Sequence, residues 1–221
     1  MRHAGLKTTA VSLLLLLALL LPACGGSPPK FQGTVIEPPI QATPFRLQDQ
    51  TGETVSLSDF SGKILALTFL YTNCPDVCPL TTESLRKVYA SLGAKAARVA
   101  FVAITVDPTR DTVQQIYNYS KQKDMLDKWH FLTGSYDELS PVWQGYFVAA
   151  DPYVETQGGA TDMLSQEVLA AQAQQSNLQS YLVAHQSPVY LIDGKGQIRV
   201  LHSDVTLDAQ PLIADIRTML R

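Results

Sequence analysis

The chain has 221 residues, 46% of them hydrophobic, which is enough to bury a core of ordinary size, and its length favours a single domain. It carries 17 Lys and Arg against 20 Asp and Glu, with no basic block able to neutralise a row of phosphates. Nucleic acid is therefore excluded as an expected partner.

The first feature in chain order is an address. Arg2 and Lys7 precede an apolar run over 11–21 that ends in Leu21-Pro22-Ala23-Cys24. The run is shorter than the roughly 20 apolar residues of a spanning helix, so residues 1–23 read as a signal peptide. Leu-x-Ala-Cys resembles the lipobox of bacterial lipoproteins, which implies cleavage before Cys24, lipidation of its sulfur and attachment to the bacterial cell membrane. The alternatives are an uncleaved anchor or an ordinary secretory signal with a free Cys24. All three place the domain outside the cytoplasm.

Gly25-Gly26-Ser27-Pro28-Pro29 and Glu37-Pro38-Pro39 carry the turn and extended chemistry of a spacer. Residues 24–43 are thus expected to be a tether and 44–221 the folded domain. Within that domain, Phe45-Arg46-Leu47 and Val55-Ser56-Leu57 flank a turn at 49–53 and read as a β-hairpin. The nearly continuous apolar run over 64–71 reads as a central strand buried on both faces. A helix follows from Pro75 or Pro79, with Leu80, Leu85, Val88, Tyr89 and Leu92 as its apolar stripe and Gly93 closing it.

A second buried strand is expected over 99–106. Asp107-Pro108-Thr109-Arg110-Asp111-Thr112 then supplies side chains to cap a helix running to about 121, and a local ion pair accounts for its remaining charge. His130-Phe131-Leu132 and a short helix over 135–145 come next. Residues 155–181 are Ala/Gln-rich and weakly helical, without a strong apolar stripe, and look like an insertion or lid. Val189-Tyr190-Leu191-Ile192 and Ile198-Arg199-Val200-Leu201 flank Asp193-Gly194-Lys195-Gly196 as a second hairpin. A final helix over 208–220 packs Leu212, Ile213, Ile216 and Leu220. This order predicts an α/β domain with a mixed central sheet and flanking helices.

With Cys24 assigned to lipid, Cys74 and Cys78 remain as a pair in an oxidising compartment. A disulfide across so short a loop adds little loop-closure entropy, so stapling the fold is a poor reason for it. Both cysteines sit where a buried strand gives way to a helix, and the backbone amides at the helix start favour thiolate over thiol. Residues four apart on a helix have Cβ atoms about 5–6 Å apart. That separation suits two soft ligands on one Cu(I) ion, and it suits a redox disulfide as well.

The block Phe69-Leu70-Tyr71-Thr72-Asn73-Cys74-Pro75-Asp76-Val77-Cys78-Pro79 resembles the signature of the Sco/SenC family. Asp107-Pro108-Thr109-Arg110-Asp111-Thr112, Leu132-Thr133-Gly134 and His185-Gln186-Ser187 ahead of Tyr190-Leu191-Ile192-Asp193 are similar to further family segments. The resemblance covers about residue 41 to the C-terminus. It implies a thioredoxin-like fold and one copper ion held by Cys74, Cys78 and His185. It also implies delivery of copper to the dicopper centre of cytochrome c oxidase subunit II or another copper acceptor, or reduction of that subunit's cysteines. No small-molecule substrate is expected. The chain departs from the family where Ala184 stands in place of the usual Asp before the histidine, and in the longer segment preceding it.

The main rival is an extracytoplasmic thiol-disulfide oxidoreductase in which Cys74 and Cys78 are the redox pair, although dedicated reductases of this kind use CxxC rather than CxxxC. His130 and His202 read as strand-end polar residues. Met125 and Met163, soft enough for copper, read as packing residues.

Overall fold

The structure, a computed structural model, describes residues 30–156, 159–174 and 180–221. The proposed signal peptide and Cys24 lie outside the described residues. Residues 31–221 form one compact unit.

Its central sheet has the order β1-β11-β10-β4-β5-β6 among the described residues. The strands are β1 (Thr34–Gln41), β4 (Ile64–Leu70), β5 (Val99–Thr105), β6 (His130–Leu132), β10 (Val189–Ile192) and β11 (Gln197–His202). β4, β5 and β6 run parallel, whereas β10, β11 and β1 are added antiparallel on the other side of β4. Every residue of β4 and β5 is buried. Because successive side chains on a strand point to opposite faces, such complete burial requires cover on both faces of the sheet. β2 (Arg46–Gln48) and β3 (Thr54–Ser56) form the expected separate hairpin.

β1 corrects the reading of 24–43 as a tether, because residues 34–41 are built into the sheet. Pro38 and Pro39 suggested a spacer because they lack N–H donors, yet β1 is an edge strand and needs a partner on one side only. Its register shifts between Val35, opposite Val200, and Ile40, opposite Ile198. A bulge of this kind lets the prolines bypass the hydrogen-bond ladder.

The helices are α1 (Val77–Leu92), α2 (Val113–Gln122), α3 (Tyr136–Gly145), α4 (Gln166–Gln174) and α5 (Gln210–Met219). α1 buries Cys78, Thr81, Thr82, Ser84, Leu85, Val88 and Leu92, with its large apolar side chains at a spacing of three and four. Leu80 is 46% exposed, a second correction. Two residues beyond Cys78 it is turned about 200° around the axis, away from the face that Cys78 commits to the core. Thr112 caps α2 by accepting from the Gln115 N–H, and Ser135 with Glu138 forms a capping box on α3.

The Ala/Gln-rich stretch has more structure than a weak helix. β7 (Asp151–Glu155), β8 (Thr161–Met163) and β9 (Leu182–Ala184) form a small sheet in the order β8-β7-β9, with α4 between β8 and β9. β8 and β9, at three residues each, are too short to show period-2 alternation. β9 leads directly into His185.

Candidate metal centre

β4 ends at Leu70, and the chain turns through Tyr71-Thr72-Asn73 into Cys74 before α1 begins at Val77. Cys78 is thus the second residue of the helix. Asp111 holds this turn: its carboxylate accepts from the Thr72 N–H at 3.2 Å, the Thr72 hydroxyl at 2.6 Å and the Thr105 hydroxyl at 2.6 Å. Thr112 is the cap of α2, so Asp111 fixes the cysteine turn instead. Burial, with Asp107 nearby, pushes the Asp111 carboxyl up to about 7.

The third residue arrives from far along the chain. β10 pairs antiparallel with β4, with Tyr190 opposite Leu67 and Leu191 opposite Ala66. The residues just before β10 therefore lie beside the end of β4, where the cysteine turn starts. His185 Nε2 sits 3.3 Å from Cys78 Sγ, and ligand atoms of Cys74, Cys78 and His185 all lie within 4.8 Å of one another. Both sulfurs are free thiols, with Cys74 8% and Cys78 0% exposed. The pair and the histidine singled out from the sequence are thus brought together.

The imidazole is oriented by the backbone. His185 Nδ1 lies 3.1 Å from the Val183 carbonyl, which can only accept, so Nδ1 carries the proton and Nε2 presents its lone pair to the sulfurs. This carbonyl occupies the orienting role for which Ala184 offers no side chain. Ser187 Oγ lies 3.1 Å from Nε2, and the Tyr71 ring packs edge-on against the imidazole at 5.1 Å. Burial holds His185 below its ordinary value, which keeps it neutral and able to ligate.

The two sulfurs are driven apart in acidity. The hydrogen bond from Cys78, then the backbone N–H groups of Cys78 and Asp76, lower the Cys74 thiol to about 5 despite its burial. Burial, followed by the hydrogen bond and charge of Cys74, pushes Cys78 up. At neutral pH this difference favours the thiolate at Cys74, with Cys78 as its proton-bearing partner. In the reduced protein, iodoacetamide should modify Cys74 first, and the rate should fall through a midpoint near pH 5 as the thiolate is protonated. A midpoint at the 8–9 of an ordinary thiol, mapped by mass spectrometry, would refute the asymmetry.

The other candidates lie elsewhere. His130 Nδ1 is 3.0 Å from Asp49, His202 is buried 3.0 Å from Asp215, Met125 is a core residue and Met163 is exposed on β8. Arg110 makes the expected ion pair with Asp107 at 2.5 Å. Sequence reasoning missed Val183, whose contribution is a main-chain atom without a side-chain signature. It also missed Tyr71 as a wall of the site, although Tyr71 stands in the motif.

A family model described as SCO1/SenC matches residues 34–221. The SCO1 protein homolog of Bacillus subtilis is 32% identical over 122 residues, which are 54% of this chain and 60% of that protein. This chain thus matches less than two thirds of that relative's length. The solution structure of apo Sco1 from Thermus thermophilus superposes with a TM-score of 0.66 at 27% identity, covering 87% of this chain and 98% of that one. ScoI of Bradyrhizobium japonicum, solved with copper bound, superposes with a TM-score of 0.64 at 27% identity, covering 81% and 99%. The fold is thioredoxin-like, as the resemblance implied.

Proposed function

Because the chain belongs to the SCO1/SenC family, we propose that it binds one copper ion through Cys74, Cys78 and His185 and hands it to an acceptor during cytochrome c oxidase assembly. The expected recipient is subunit II with its dicopper centre. The observation that carries this reading is the convergence of two sulfurs and one imidazole, 107 residues apart in sequence, within 4.8 Å. Two thiolates suit Cu(I), and a neutral imidazole adds a harder donor that suits Cu(II). Three ligands leave an approach open to an incoming ligand, which a transferable ion requires. The copper-bound ScoI of Bradyrhizobium japonicum supports the assignment. Lipidation at Cys24 would hold this exchange at the outer face of the cell membrane.

A second reading rests on the raised acidity of the Cys74 thiol. Its thiolate can attack one sulfur of an acceptor disulfide and expel the other as a thiolate that takes up a proton. Cys78 then loses its proton and displaces the acceptor from the mixed disulfide. Two electrons pass to the acceptor, which ends as a dithiol while Cys74 and Cys78 end as a disulfide.

One acceptor fragment separates the two. The copper-loaded protein mixed with a prereduced subunit II fragment should lose one equivalent of copper to it, read by metal analysis after separation. The copper-free reduced protein mixed with the oxidised fragment tests reduction. Failure to take up copper, or to release it, counts against the chaperone reading, and reduction alone would favour the second.

A further inference from the structure

The strand that presents His185 is tied down from outside the ligand set. Arg110, in the loop after β5, donates through Nη1 to the Tyr181 carbonyl at 2.9 Å, and its guanidinium lies over the Tyr181 ring at 3.6 Å. The same guanidinium donates through Nε to Asp107 Oδ2 at 2.5 Å, while the Tyr181 hydroxyl donates to Asp107 Oδ1 at 2.5 Å. Asp107 and Tyr181 are buried. Two residues further on, the Val183 N–H donates to the Tyr71 hydroxyl at 3.4 Å, and the Val183 carbonyl holds His185 Nδ1.

We propose that Arg110 is a positioning residue for His185: with Asp107 it clamps Tyr181, setting the register of β9 so that the Val183 carbonyl and the Tyr71 ring aim Nε2 at the sulfurs. An ion pair alone would need only Arg110 and Asp107. The stacking on Tyr181 and the bond to its carbonyl are what couple that pair to the histidine-bearing strand. Only a planar fork can stack on the ring while donating to both the carboxylate and the carbonyl, so Lys is no substitute for Arg here.

The inference rests on the copper reading for one of its two tests and is independent of it for the other. In the copper-free reduced protein, the His185 ring resonances should sit at dispersed, buried positions and move toward solvent-exposed values in R110A and, more weakly, in R110K. In the copper-loaded protein, both variants should lose about 10- to 100-fold in Cu(II) affinity, the range for loss of an outer-shell partner. Cu(I) affinity, carried by the two thiolates, should change far less. The nitrogen hyperfine coupling of Cu(II) should weaken, and R110A should add little further loss in an H185A background.

R110K retains the charge beside Asp107, so it stays informative if R110A does not fold. Unmoved His185 resonances in R110K, or losses from R110A and H185A that simply add, would overturn the positioning role. If the wild-type protein binds no copper while the His185 resonances shift as described, the copper reading fails and the positioning role stands.

Discussion

Replacing Cys78 with Ser should abolish tight Cu(I) binding, lowering affinity by more than the roughly 100-fold upper range for loss of an outer-shell partner. Cys78 is fully buried at the second position of α1, so the serine hydroxyl would be placed where the sulfur was. A hydroxyl stays protonated at neutral pH and is a hard donor, so one imidazole and one thiolate would remain for a soft ion. The fold itself should tolerate the change. Serine is slightly smaller than cysteine, and its hydroxyl would find Cys74 Sγ or His185 Nε2 as partner, the latter now 3.3 Å from Cys78 Sγ. A competition titration with a Cu(I) chelator, alongside a thermal melt of the metal-free variant, separates the two effects. An intact melt with lost copper is the expected result, and undiminished Cu(I) affinity in that folded variant would sink the site. The same substitution at Cys74 should abolish binding too, and it removes the low-pKa thiolate on which disulfide reduction depends.

Much of this site was legible in the sequence because its chemistry sits in side chains next to one another. Cys74 and Cys78 announce themselves by spacing and by their place between a buried strand and a helix. His185 is different: nothing local distinguishes it, and only the resemblance linked it to the pair. What brings it there is the antiparallel pairing of β10 with β4, a long-range fact that periodicity cannot reveal. Leu80 was assigned by hydrophobicity, whereas the angular position of Cys78 decides which face α1 buries. β1 was hidden by prolines that an edge strand tolerates, and β8 and β9 by a length of three residues each. The backbone carbonyl of Val183 leaves no mark on a sequence at all.

His202 and Asp215 extend that lesson to the folded edge of the sheet, and removing the Asp215 side chain should cost about 3 kcal/mol. Both partners are buried, with His202 Nε2 3.0 Å from Asp215 Oδ2. Asp215 also accepts from the Gln32 N–H at 2.8 Å and the Gly33 N–H at 2.9 Å. A carboxylate on α5 therefore pins the chain immediately before β1 and pairs with the last residue of β11. In D215A, the Gly33 N–H would be left without its partner at roughly 1–3 kcal/mol, and the buried His202 imidazole would lose the carboxylate beside it. The Gln32 N–H, on an exposed residue, can turn to water. For a chain of this size a loss of about 3 kcal/mol lowers Tm by roughly 6–12 °C. The loss should be local first. β1 is an edge strand interrupted by a bulge, so its amides should exchange with solvent through an opening of lower free energy than that of β4 and β5. Hydrogen exchange on D215A should show β1 protection falling while β4 protection follows only the global stability. A Tm within 2 °C of the wild type, or equal loss across β1 and β4, would mean that Asp215 does not secure the strand.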